Sequence, residues 1–189
     1  MSTASTVGEI ALIAAEAFER AGVDYALGGS VASSIQGEPR FTNDIDFAVR
    51  MTERQVPGLL ASLGADFEVD EEALREAIRT GRSTNIFYLP LITKIDLFLR
   101  GGRPFDTSEL SRRVRVPVGP GSGELYIATP EDNLLRKLVW FKAGGEVSDS
   151  QWRDVLGLLR LGKLDAAYLN QWAKELDVED LLARARAQS

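Results

Sequence analysis

The chain contains no histidine and no cysteine. Those two zeros exclude a Ser-His-Asp or Cys-His site, a thiolate nucleophile, a disulfide framework, and any zinc, iron–sulfur or blue-copper centre built on Cys or His. Long hydrophobic runs are missing too, since no stretch approaches the roughly 20 apolar residues of a membrane span. Residues 1–6 are small and polar, without the basic start and apolar middle of a signal peptide, so a cytoplasmic protein is expected. Positive charge is also scarce: 22 Lys and Arg face 28 Asp and Glu, for a net charge of −6. Such a balance argues against permanent coating of nucleic acid, which needs several phosphates neutralised by Lys and Arg.

What is present fits a soluble globular protein of one domain or two small halves. It has 189 residues, 44% of them hydrophobic and 26% charged. Any chemistry must rest on carboxylates, hydroxyls, amines and hard cations held by oxygen. The charge is unevenly spread. Residues 1–99 carry a net of −7, residues 100–145 a net of +3, and residues 146–189 a net of −2. Arg100, Arg103, Arg112, Arg113 and Arg115 either form a basic strip that grips a substrate or belong to an ordinary solvated surface.

Periodicity divides the chain. A helix is expected over 8–21, with Ile10, Ile13, Ala14, Ala17 and Phe18 on one face, then a strand over 24–27 running into Gly28-Gly29-Ser30. A short second helix starts at Ser30 and ends before Gly37. Residues 44–50 alternate, with Ile45, Phe47 and Val49 on one face and Asp44, Asp46 and Ala48 on the other. Helices follow at 53–63 and 70–79, with Thr52 as N-cap of the first. A strand is expected over 86–89, and an alternating one over 93–100 carries Lys94, Asp96 and Phe98 on its polar face. Residues 114–118 read as an edge strand because Pro117 cannot donate to a ladder. After a Gly/Pro-rich turn at 119–123 and a strand at 125–128, the chain turns helical. Thr129-Pro130-Glu131-Asp132 combines a capping threonine, proline at the first helical position and acids in the first turn. Two more helices are expected, one opening at Ser148 and one over about 165–176. The fold class is α/β (α+β): a small mixed-sheet core over 1–128, then a helical subdomain over 129–189.

Three carboxylates interrupt apolar strands. Asp44 and Asp46 share one side of their strand, roughly 7 Å apart at the backbone, and Asp96 holds the central position of another. If the two strands are neighbours, the three carboxylates converge, and a divalent cation relieves their repulsion. Oxygen-only ligands select Mg²⁺ or Mn²⁺. Taken singly, each strand reads equally as the wet face of a half-exposed sheet. Upstream, Gly28-Gly29-Ser30 marks a strand-to-helix junction where backbone N–H groups and a hydroxyl can hold a phosphate. A phosphate cradle followed by three such carboxylates is a layout for two-metal phosphoryl or nucleotidyl transfer.

These residues resemble a known signature. Gly28-Gly29-Ser30, then Arg40-Phe41-Thr42-Asn43-Asp44-Ile45-Asp46-Phe47, then Lys94-Ile95-Asp96-Leu97-Phe98 look like the polymerase-β-type nucleotidyltransferase motif. The stretch 128–138 with Trp152-Arg153-Asp154-Val155 is similar to the AbiEii-type toxin nucleotidyltransferases, including the MenT-like ones. The likeness spans about residues 8–160. It implies that Asp44, Asp46 and Asp96 are catalytic and hold Mg²⁺ or Mn²⁺, and that Gly29 and Ser30 hold the β/γ-phosphates of an NTP. It further implies that Lys137 reaches the triphosphate and that Asp154 positions Lys137 or contacts the base, although both also read as a solvated helix flank. Arg40 reads as a phosphate contact or a surface turn, and Trp140 and Trp152 as base-stacking or core residues. The implied reaction moves an NMP from an NTP to a hydroxyl. The acceptor is RNA (a tRNA end) for a toxin-type enzyme with a cognate antitoxin, or a small molecule of aminoglycoside type, or a protein. A non-catalytic nucleotide-binding module is a further alternative.

Overall fold

The computed structural model describes residues 6–36, 43–119, 121 and 123–189. Arg40, the Arg40-Phe41-Thr42 part of the motif, the expected stop at Gly37, most of the 1–6 stretch and two residues of the 119–123 turn lie outside them.

Helix α1 (Val7–Arg20) is started by a reciprocal cap. Glu9 donates its backbone N–H to Thr6 Oγ1, and Thr6 donates its own to the Glu9 side chain. Its buried face is rich in alanine, with Ala11, Ala14, Ala15 and Ala17 flanked by Ile10 and Phe18, so a neighbouring layer can approach closely. Strand β1 (Asp24–Leu27) leads to α2 (Gly29–Gln36), and β2 (Ile45–Arg50) returns antiparallel to β1. Phe18 meets Phe47 of β2 edge to face at 5.2 Å, in the preferred geometry of aromatic pairs.

The expected helix over 53–63 begins as a single 3₁₀ turn at Glu53–Gln55 and becomes α3 at Val56–Leu63. Three elements between there and residue 128 depart from the sequence reading. A short β3 (Phe67–Val69) precedes α4 (Glu71–Thr80), and β4 (Ser83–Tyr88) starts three residues earlier than its apolar part because Ser83, Thr84 and Asn85 pair with the next strand. β5 (Thr93–Leu99) follows. An unexpected helix α5 (Pro104–Arg112) then occupies the start of the basic segment, with Pro104 in its first turn. β6 (Val114–Pro117) and β7 (Glu124–Ile127) form the last hairpin.

Among the described residues the seven strands form one mixed sheet in the order β3-β4-β5-β2-β1-β7-β6. β2 and β5 run parallel, as do β1 and β7, while the other neighbours are antiparallel. β6 lies at the edge, where its proline breaks no ladder. Ile45, Phe47, Val49, Ile95, Leu97 and Leu99 are all buried, as their alternation requires. The opposite face of β2 is less wet than alternation suggests. Ala48 is buried in a cluster with Ala26, Leu110 of α5 and Ala128, so the middle of that face is covered while Asp46 stays partly open and Arg50 is exposed.

The chain divides into two compact units. One holds the described residues through Val31 and then through Ala128; the other holds residues 32–36 of α2 and Thr129–Ser189. In the second unit, α6 (Pro130–Ala143) is capped by Thr129, α7 (Asp149–Arg160) by Ser148 and α8 (Ala166–Glu175) by Asp165. A fourth helix, α9 (Glu179–Gln188), contacts α7 and α8 and was not signalled by a capping residue, since Val178 precedes it. Trp152 stacks against Phe141 at 5.0 Å, lies under Arg184, and donates its indole N–H to Gln188.

Candidate functional site

The parallel pairing of β2 and β5 sets Ile45 beside Ile95 and Asp46 beside Asp96. Opposed positions on neighbouring strands project to the same face, so the two carboxylates rise side by side at strand spacing, about 4.8 Å. On its other flank Asp96 faces Asn85 of β4. Asp44 precedes β2 and is exposed, while Asp46 and Asp96 are half-buried.

The junction after β1 is built against Asp46. The backbone N–H of Gly28 donates to the Asp46 carbonyl at 2.8 Å, extending the β1–β2 ladder by one bond. Gly29 opens α2 with φ of +62°, and a Cβ placed on it would lie 1.9 Å from Asp46 Oδ2. Two independent requirements, left-handed backbone and absence of a side chain, therefore demand glycine there. Ser30 follows in the first turn of α2, where helix N–H groups point outward.

Lys94, two residues before Asp96 on the same face of β5, places its ammonium 2.8 Å from Asp96 Oδ2. The Asp96 hydrogen bond is the main reason the Lys94 amine is held above the usual lysine range; partial desolvation opposes it, and the charges of Asp96, Asp44 and Asp46 add to it. Lys94 went unassigned in the sequence, although its i−2 spacing from Asp96 already put both side chains on one face. Beside it lies a cavity of about 430 Å³ whose lining includes Asn43, Asp44, Lys94, Leu91 and Ile92. Ile92 forms part of the β4–β5 turn, is 83% exposed, and has φ of +49°, a left-handed conformation that a β-branched residue adopts only at a cost.

Among the described residues, no group of three or more acidic side chains is gathered tightly enough to hold a metal ion. Mg²⁺ does not need such a cage, because it commonly binds one or two carboxylates and completes its shell with water and substrate phosphates. The Asp46–Asp96 pair is a hard-oxygen donor set of that kind, with the Lys94 ammonium on its Asp96 member. The residues present therefore fit a divalent ion.

Lys137 and Asp154 belong to the helical unit. They form an ion pair of 2.8 Å in which the side chains are only 5% and 12% exposed, so neither is a solvated flank. The pair belongs to a polar interior. Asp132, fully buried, accepts hydrogen bonds from the hydroxyls of Thr129 and Tyr168, and Asn133 donates to Ser33 at 3.0 Å. Glu131 accepts from the backbone of Asp165, and every one of these groups is thereby hydrogen-bonded, as burial requires.

The five arginines do not make a free strip. Arg100 pairs with Glu109, Arg113 with Asp24, and Arg115 with Glu19 and Glu124, and the last two arginines also lie over the Tyr126 ring. Asp24 and Glu19 reach Arg113 and Arg115 from outside the basic segment and offset part of its excess of +3, whereas Glu109 and Glu124 lie within the segment.

No protein-family model matches the chain, and no curated protein matches it. Among solved structures it is similar to the crystal structure of an antigenic nucleotidyltransferase-like protein from Paracoccidioides brasiliensis. The two share 21% sequence identity with a TM-score of 0.59, over 95% of this chain and 91% of that one. The likeness is one of fold: the mixed sheet and its helices form a nucleotidyltransferase-like architecture. Among the described residues no helix is long and apolar enough to cross a membrane.

Proposed function

We propose that the chain is a metal-dependent nucleotidyltransferase that moves an NMP from an NTP to a hydroxyl acceptor. The observation that carries this reading is the register pairing of Asp46 with Asp96, with Gly29 seated against Asp46. It joins a phosphate-cradling junction to a pair of carboxylates in a nucleotidyltransferase-like fold.

In this reading the Gly29–Ser30 turn holds the β/γ-phosphates through backbone N–H groups and the serine hydroxyl. Asp44 and Asp46 would hold Mg²⁺ or Mn²⁺, and Asp96 would complete the donor set and accept or orient the proton of the attacking hydroxyl. The bound cations would neutralise charge on the departing pyrophosphate and activate the nucleophilic oxygen. The acceptor oxygen bonds to the α-phosphorus as the bond to the β-phosphate oxygen breaks, so pyrophosphate leaves and no histidine is required.

The resemblance to AbiEii-type toxins makes an RNA end, that of a tRNA, the first acceptor to test, with a cognate antitoxin as partner. A second reading, a compact hydroxylated small molecule, is favoured by the internal pairing of Arg100, Arg113 and Arg115 and by the modest cavity beside Asp44. The test incubates the protein with Mg²⁺ and each α-labelled NTP, supplying total RNA in one arm and an aminoglycoside panel in another. Label on RNA supports the toxin-type reading, and label on drug alone replaces it with the second. Absence of transfer from every NTP, with nucleotide binding retained, leaves a non-catalytic nucleotide-binding module.

A further inference from the structure

Lys94 pairs with a candidate metal ligand. Its ammonium lies 2.8 Å from Asp96 Oδ2, and Asp44 and Asp46 act on the same charge. Its side chain is 46% exposed, so it can swing away without unpacking anything. It also lines the cavity next to Asp44, so its head has open space to move into. An ammonium bound to Asp96 and a divalent ion bound to Asp46 and Asp96 would compete for the same oxygens and repel each other across a few ångströms.

We infer that Lys94 is a resident counter-cation of the carboxylate pair, which a divalent ion must displace and which the phosphates of an incoming nucleotide draw off. The inference rests on the metal-dependent reading proposed above and adds a mechanism of coupling to it. Without nucleotide, the ammonium offsets the repulsion between Asp46 and Asp96 and keeps cation affinity low. A triphosphate gives the ammonium a new anionic partner, and Asp96 becomes available to the metal. Nucleotide and cation then bind cooperatively, and by linkage each raises the affinity for the other by the same factor. Lys94 is in this sense a positioning residue: it acts on the metal site through Asp96.

The experiment measures Mn²⁺ binding to the full chain from the free-ion signal in electron paramagnetic resonance, with and without a non-transferable α,β-methylene NTP. Wild type is compared with Lys94→Met, Lys94→Gln, Lys94→Arg and Asp46→Asn, the fold of each being checked by circular dichroism. The two neutral variants are expected to bind Mn²⁺ about tenfold more tightly than wild type without nucleotide, a size set by one partly screened charge at close range. Their enhancement by the NTP analogue should shrink, while Lys94→Arg should stay near wild type. Unchanged or weaker Mn²⁺ binding in both neutral variants, with binding lost in Asp46→Asn, would overturn the role of Lys94 and leave the metal reading standing. If neither wild type nor any variant binds Mn²⁺, the metal reading fails, and the role of Lys94 falls with it.

Discussion

Asp46 and Asp96 are direct register partners across the parallel pairing of β2 and β5, although fifty residues of chain separate them. Everything assigned to the candidate site depends on that adjacency. It converts two carboxylates that read separately as strand surface into one donor pair, with Gly29 against one member and Lys94 on the other.

The first prediction concerns Gly29. Replacing it with alanine sets a Cβ 1.9 Å from Asp46 Oδ2 at a backbone φ of +62°, so either the turn or the carboxylate must move. Gly29→Ala should lower nucleotidyl transfer at least tenfold and cost about 1–3 kcal/mol of stability. At Gly28 the nearest atom to such a Cβ is 3.8 Å away, so Gly28→Ala should be far milder. Thermal melts and transfer assays on the two variants check the contrast.

A second prediction uses the buried pair Lys137–Asp154. Asp154→Asn leaves the Lys137 ammonium in a nearly water-free site without its counter-charge, and it should destabilise the protein by about 3–5 kcal/mol. The double variant Lys137→Met, Asp154→Leu removes both charges and should recover much of that loss. Urea denaturation of the singles Lys137→Met and Asp154→Leu beside their double reports the coupling directly.

Tyr168 gives a third. Its hydroxyl donates to the fully buried Asp132, whose other oxygen accepts from Thr129. Tyr168→Phe deprives a buried carboxylate of one donor and should cost about 1.5–3 kcal/mol, the range for hydrogen bonds to charged groups. Chemical denaturation measures it.

Asp24 supplies a pH dependence. The Arg50 hydrogen bond, aided by the charge of Arg113, holds its carboxyl below the ordinary aspartate value despite partial burial. A depressed folded value means the pairing stabilises above the unfolded value near 4, and that this stability is lost as pH falls through the folded one. Because Asp24 is well exposed, the effect is screened to about 0.5–1 kcal/mol. Wild type should exceed Asp24→Asn by that amount at pH 7, and the difference should vanish as pH falls through the depressed folded value in parallel urea titrations.

Local chemistry made much of this molecule legible. The alternation of 44–50 and 93–99, the Thr129-Pro130 helix start and the break at Gly28-Gly29 are encoded within a few residues, and β1, β2, β5 and α6 follow them closely. What local pattern cannot encode is which strands become neighbours. The pairing of Asp46 with Asp96 and the burial of Ala48 under Leu110 are long-range facts. The same holds for the arginines. Arg100, Arg113 and Arg115 form a basic run in sequence, but Asp24 and Glu19 reach Arg113 and Arg115 only through the fold. Lys137 reads in sequence as a phosphate contact or a solvated flank, and only the packing of the helix that holds Asp154 excludes the second. β4 extended past its apolar residues because Asn85 pairs with Asp96, and α9 lacked a side-chain cap to announce it.

The central claim is that the Asp46–Asp96 pair carries nucleotidyl transfer. It is tested most directly by single-turnover transfer of label from the accepted α-labelled NTP at saturating Mg²⁺, comparing wild type with Asp46→Asn and Asp96→Asn. Both variants keep their strands and shapes, so a loss reports chemistry when circular dichroism is unchanged. The transfer rate should drop by at least about 10³-fold in each, equal to roughly 4 kcal/mol of transition-state stabilisation. Transfer at wild-type rate from either variant would contradict it.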